Sequence, residues 1–144
     1  MQIYETLKHT TWECKYHVVF IPKYRRKTLY VQLRREMGAV FRDLAQQRES
    51  EVLEGHLMTD HVHMLLSVPP KYSVAQVMGF IKGKSAIHIA RVHAGWRRNF
   101  VGQHFWARGY WVSTVGKNEA AVRRYIQEQE KEDRRLDQLE MTAL

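Results

Sequence analysis

Cysteine is almost absent from this chain: Cys14 stands alone among 144 residues. An internal disulfide is therefore impossible, and a zinc ribbon is excluded. Cys14 is read as a packed thiol. Only three prolines and eight glycines punctuate the chain, and no linker, repeat or low-complexity segment is visible. Long apolar runs are missing too. The first ten residues lack the apolar core of a secretory signal, and nothing approaches the ~20 apolar residues that span a membrane. A cytoplasmic protein without membrane association is expected. Acidic residues are in deficit, 15 against 23 Lys and Arg, which leaves a net charge of +8 and a pI near 9.8. That balance favours a polyanionic partner, nucleic acid ahead of membrane. Solubility alone would be the plainer use of the same charge.

What is present suits one domain covering residues 1–144, because a hydrophobic content of 44% can build a core at this length. Residues 1–11 are polar and are expected to be loosely held. Tyr16 to Pro22 is rich in β-branched and aromatic residues and reads as a strand. From Val31 to Arg48, apolar Leu33, Met37, Val40, Phe41 and Leu44 recur at helical spacing. Glu51 to Met58 and Val62 to Val68 read as two strands of a hairpin, with Thr59 and Asp60 at the turn and Pro69-Pro70 as the stop. Ser73 can cap a second helix running to about His93. Tyr110 to Val115 reads as a fourth strand, and Asn118 can cap a last helix from Glu119 to about Arg135. The order β-α-β-β-α-β-α predicts an α+β fold of ferredoxin-like, split βαβ type. Its antiparallel sheet carries two helices on one face and leaves the other free for nucleic acid, as in RNA-recognition modules.

The most informative string is Asp60-His-Val-His-Met-Leu66. Strand side chains alternate, so His61 and His63 share a face and can offer two nitrogen ligands to one metal ion. Leu65 and Ser67 share that face, while Val62, Leu66 and Val68 point the other way. Two surface histidines on a half-exposed strand would give the same string. His56, on the adjacent strand, could add a ligand or support one, and a structural role is the favoured reading. Downstream, Tyr125 and Gln129 stand at i and i+4 on one helix face. Tyrosine is a poor nucleophile at neutral pH, with a phenol pKa near ~10, and needs an electrophile polarised by a metal. Two imidazoles and one amide oxygen would leave metal positions open for a phosphate oxygen. Attack by Tyr125 would then conserve the ester's energy in a phosphotyrosine.

Basic and aromatic residues interleave at Lys23-Tyr24-Arg25-Arg26-Lys27 and from Trp96-Arg97-Arg98 to Trp111. Cationic side chains neutralise phosphates and aromatic faces stack on unpaired bases. Lys23, Arg25, Arg26, Arg97, Arg98 and Arg124 are candidate nucleic-acid contacts, and so are Lys82 and Lys84. For Trp111, core packing is the expected role. Lys82-Gly-Lys-Ser85 is not a nucleotide-binding loop, because Gly79 stands one residue too close and the stretch lies inside a helix.

Taken together, the chain resembles the small insertion-sequence transposases of the single-tyrosine HUH class. The resemblance rests on Trp12-x-Cys14-Lys-Tyr-His-Val-Val-Phe-x-Pro-Lys-Tyr-Arg-Arg-Lys27, Asp60-His-Val-His-Met-Leu66, Gly79-Phe-Ile-Lys-Gly-Lys-Ser85, Phe105-Trp-x-Arg-Gly-Tyr-Trp-Val112, Thr114-Val-Gly-Lys-Asn118 and Tyr125-Ile-x-x-Gln129, in that order. It implies that His61, His63 and Gln129 hold Mg²⁺ or Mn²⁺ and that Tyr125 is the nucleophile. It also implies action on single-stranded DNA with hairpin ends, and a homodimer whose active sites are shared between protomers. Dimerisation has a separate reason: excision needs two cleavages, and each chain supplies one such tyrosine.

The expected function is therefore a DNA transposase that cleaves and rejoins single strands through a 5′-phosphotyrosine. Two other readings use the same features. One is a non-catalytic single-stranded nucleic-acid-binding module, which needs no metal. The other is a replication-initiator or relaxase-type nicking enzyme, which would belong to a longer protein.

Overall fold

The computed structural model describes residues 5–7, 9–23, 31–92, 105–116 and 119–143. Two short strands, β1 (Glu5–Leu7) and β2 (Thr10–Trp12), precede β3 (Lys15–Phe20). Helix α1 (Val31–Gln46), the hairpin β4 (Glu51–Leu57) and β5 (Val62–Ser67), and helix α2 (Val74–Val92) follow, and then β6 (Trp111–Val115) and α3 (Glu119–Ala143). The main sheet has the order β4-β5-β3-β6, and every neighbouring pair is antiparallel. This is the expected split βαβ arrangement.

Alternation along β3 and β5 sorts the side chains to two faces. Val18, Phe20, Val62, Met64 and Leu66 are buried with Met37 and Phe41 of α1 and Val77, Met78 and Ile81 of α2. Phe20 meets Trp106 edge-on with ring centroids 4.7 Å apart. The Trp106 indole N–H donates to Ser85 Oγ across 2.9 Å, so its polar edge is satisfied inside the core. Ser73 caps α2 as expected: its Oγ accepts from the Gln76 N–H at 3.0 Å, and Gln76 Oε1 accepts from the Ser73 N–H at 2.8 Å. This reciprocal pair is a capping box. At the end of α1, Ser50 N–H reaches back to the Ala45 carbonyl, and Glu49 takes a left-handed φ of 52°. That closure turns the chain directly into β4.

Three expectations are corrected. The segment before β3 is not merely loose: Glu5 pairs with Trp12 and Leu7 with Thr10 in a small hairpin. The last helix continues to Ala143, eight residues past the expected Arg135. Nor is the second sheet face free. Val122 and Ile126 of α3 pack there against Leu53, Leu65 and Val115. A register shift in β4 between Val52 and Glu54 releases Leu53 from regular pairing.

Asn118 and residues 93–104 lie outside the described residues. Among the described residues, no helix is long and apolar enough to cross a membrane.

Candidate functional site

The histidines sit on the sheet face that α3 partly covers. His63 lies on β5, directly opposite His56 of β4 and Val19 of β3. His17 is two residues before Val19, so it is a diagonal neighbour of His63 across the sheet. His61 stands just before β5, in a turn closed by the Met58 N–H donating to the His61 carbonyl at 2.8 Å. The His61 and His63 ring centroids are 4.6 Å apart and their planes are 72° apart. Helix α3 brings the Tyr125 ring to 5.7 Å from the His63 ring. A cleft of about 280 Å³ is lined by Val19, Ile21, Asp60, His61, His63 and Tyr125. The structure thus brings together two segments more than 60 residues apart in sequence.

Both candidate ligands are held by the same ring nitrogen. His61 Nδ1 lies 2.6 Å from Asp60 Oδ1. His63 Nδ1 lies 3.1 Å from His17 Nε2. Asp60 accepts, so His61 Nδ1 carries a proton, and in the neutral ring the lone pair lies at Nε2. His63 Nε2 is buried without a hydrogen-bond partner. Burial pushes the His63 pKa down to about 4, with the neighbouring His61, His17 and His56 adding to the effect. Burial lowers His17 as well. His63 is therefore neutral near pH 7, the form that ligates metals. A buried, unpartnered nitrogen on a neutral imidazole fits a divalent cation.

No three His, Cys, Asp or Glu side chains among the described residues group as a closed metal site. The two imidazoles supply two donors, and any further donor must be an amide, a phosphate oxygen or water. Gln129 lies one turn beyond Tyr125, half-buried, and does not line the cleft.

The tyrosine helix is tied to its own sheet at several points. Lys15 Nζ on β3 lies 2.9 Å from Glu119 Oε2, which holds the start of α3 and raises the Lys15 pKa. Gln127 donates to Glu54 of β4 at 3.2 Å. Further along, Asp133 pairs with Arg34 of α1, and His56 Nε2 approaches the same carboxylate at 3.4 Å. Tyr125 itself is 46% exposed, open to a substrate.

The candidate nucleic-acid contacts are dispersed. Arg124 is exposed on α3, next to Tyr125. Lys84 is exposed and lines a groove of about 610 Å³ between α1 and α2, with His88 and Arg91. Lys82 is engaged within the chain: its Nζ donates to the carbonyls of Ala107 at 2.8 Å and Gly109 at 2.7 Å, and burial lowers its pKa. Lys23 fixes the chain before α1 through its backbone N–H, which donates to the Phe105 carbonyl at 2.7 Å. Arg25, Arg26, Arg97 and Arg98 lie outside the described residues. Trp111, expected in the core, is instead 54% exposed on the edge strand, with its ring 5.1 Å from that of His17.

Sequence reasoning missed His17 as part of the site. Its only signal was alternation with Lys15 and Val19, and no single strand reveals its partner's register. Asp60, expected at the turn, also orients His61 through Nδ1.

Comparison with known proteins gives the family. A family profile described as "Transposase IS200 like" matches residues 10–129. The transposase for insertion sequence element IS200 of Salmonella typhimurium is 44% identical over 135 residues, 94% of this chain and 89% of that protein. The ISDra2 transposase TnpA of Deinococcus radiodurans is 29% identical over 119 residues, 82% of this chain and 85% of that protein. Among solved structures, a transposase candidate from Deinococcus radiodurans R1 has a TM-score of 0.70 at 25% identity, covering 88% of this chain and 98% of its own. A REP-associated tyrosine transposase bound to a REP hairpin shares the fold, with a TM-score of 0.57 at 13% identity over 85% of this chain and 68% of its own. Because the family profile covers most of the chain, from before β3 to Gln129, this protein belongs to the IS200-like transposases.

Proposed function

We propose that this transposase cleaves and rejoins single-stranded DNA through a 5′-phosphotyrosine on Tyr125. One observation carries the reading: an exposed tyrosine shares a cleft with two imidazoles whose Nδ1 atoms are engaged, and the buried Nε2 of one of them, His63, has no partner. The Tyr125 oxygen loses its proton and attacks the scissile phosphorus, the P–O3′ bond breaks, and the departing O3′ takes up a proton and leaves as a free 3′-hydroxyl. Rejoining is the reverse attack by a 3′-hydroxyl, which releases Tyr125. His61 and His63, with the Gln129 amide as third donor, would hold Mg²⁺ or Mn²⁺, which supplies charge withdrawal from the phosphate oxygens. Arg124, beside the nucleophile, faces solvent where a phosphate backbone would pass. With Lys23, Lys84, Arg25, Arg26, Arg97 and Arg98 it provides the positive charge that single-stranded DNA requires.

The active assembly is a homodimer, because two cleavages need two tyrosines. As folded here, each chain pairs Tyr125 with its own histidines. Sharing sites between protomers requires the ties of α3 to be released and remade on the partner's sheet. The hairpin in the related complex is the kind of DNA end this chain would recognise. Such a protein acts in the cytoplasm, where the DNA is.

The test is a denaturing gel of labelled single-stranded DNA carrying an element end, incubated with Mn²⁺. A covalent protein–DNA band is expected, absent with chelator and absent in Tyr125→Phe. His61→Ala should abolish cleavage with the fold intact. An adduct surviving in Tyr125→Phe would remove that residue from the role. Tight binding with no adduct under any metal would favour a non-catalytic binding module.

A further inference from the structure

We infer that His17 is a positioning residue for the metal site: it accepts the Nδ1–H of His63 and so directs the His63 Nε2 lone pair into the cleft. The inference rests on the metal-site reading above. A neutral imidazole carries one N–H, on either nitrogen. If His63 were protonated at Nε2, that N–H would be a buried donor with no acceptor, since Nε2 has no partner. An unmet buried donor is destabilising, because it gives up its hydrogen bond to water and gains none. Protonation at Nδ1 instead places the hydrogen on the 3.1 Å contact to His17 Nε2. The free lone pair then sits at Nε2, beside His61 and Tyr125.

The packing around His17 is suited to this task. The residue is buried, with 8% exposure. Its ring lies nearly parallel to that of His63, 5.3 Å away at 21°. Trp111 meets its other side edge-on at 5.1 Å. Antiparallel pairing of β3 with β5 sets the distance through the backbone, not through a mobile loop. His61 is served by the same device with a different acceptor, Asp60 at 2.6 Å. Each metal imidazole thus has its Nδ1 fixed within the chain, and the His63 Nε2 is left without a hydrogen-bond partner. Partners of this kind set tautomer and ring orientation, and their loss weakens metal binding by about 10–100-fold.

The test uses the full chain in two measurements. Long-range proton–nitrogen correlation in the metal-free protein reads the His63 tautomer, with Nδ1–H expected. Mn²⁺ titration, followed by the loss of free-ion paramagnetic signal, reads affinity without any DNA or turnover. His17→Leu should weaken Mn²⁺ binding by about tenfold or more and let His63 populate both tautomers. His17→Gln, which places an amide oxygen near the position of Nε2, should restore most of both. A wild-type His63 protonated at Nε2 would overturn the inference, as would a folded His17→Leu with unchanged affinity and tautomer. If His17→Leu fails to fold, the wild-type tautomer and the His17→Gln affinity decide. His63→Ala separates the two readings. Mn²⁺ affinity unchanged in that variant removes the metal site itself, and the role of His17 with it. Loss in His63→Ala without loss in His17→Leu removes only the role of His17.

Discussion

Arg34 on α1 pairs with Asp133 on α3, two helices that lie on opposite faces of the sheet and meet around its β4 edge. Both side chains are largely buried, at 12% and 7% exposure. The pair stands two helical turns beyond Tyr125 and anchors the far half of the helix that carries it. Breaking a buried pair by removing one partner costs about 3–5 kcal/mol. Asp133→Ala should destabilise the protein by about 3 kcal/mol in urea unfolding. It should also slow adduct formation by loosening α3. Unchanged stability would show that the pair is not an anchor.

Ile126 follows Tyr125 directly and is fully buried against Leu65 and Val115. Its side chain sets the rotation of α3 that leaves Tyr125 facing the cleft. Ile126→Ala should cost about 2–5 kcal/mol, while Ile126→Val should cost about 1 kcal/mol. Thermal unfolding of both variants checks the ranking.

Lys82 and Lys84 are two residues apart, but one is engaged inside the chain and the other is exposed. Lys82→Met removes two charge-assisted bonds to the loop before β6, each worth about 1.5–3 kcal/mol, and should lower stability measurably. Lys84→Ala should leave stability within about 0.5 kcal/mol. It should also reduce the slope of log affinity for single-stranded DNA against log salt by about 0.7. Affinity measured over a salt series separates the two lysines.

Acid should weaken the fold through its buried histidines. Burial lowers the pKa of His17, His56 and His63, and His63 falls from 6.5 to about 4. Between those two values the unfolded chain binds protons that the folded chain refuses, so stability falls as pH drops through that window. Urea unfolding midpoints should decrease from above pH 6.5 towards pH 4. Over the same range the His63 ring resonances should stay nearly constant until the lower end. A His63 titration near 6.5 would contradict the burial argument.

Much of this protein was legible in the string because its signals are local. Period 2 pointed to His61 and His63 as neighbours, and their rings do meet although His61 lies in the turn just before β5; helical spacing with a Ser73 cap placed α2 to within about one residue. The β-α-β-β-α-β order was enough to name the sheet topology. Tyr125 followed from its motif, and the structure sets it beside the histidines. The end of α3 is less legible: Leu136, Leu139 and Met141 continue the apolar spacing past the basic run, and the helix runs on to Ala143 with no capping signal at Arg135.

By itself, then, the sequence determined which residues share a face within each element, because backbone geometry alone dictates side-chain direction there. Only the tertiary structure decided which faces meet. The register of β3 on β5 put His17 against His63. The docking of Val122 and Ile126 closed a face expected to be open, and the fold turned Lys82 inward onto a loop 25 residues away. These contacts join residues distant in the chain, and their energies come from burial and pairing that no local window contains.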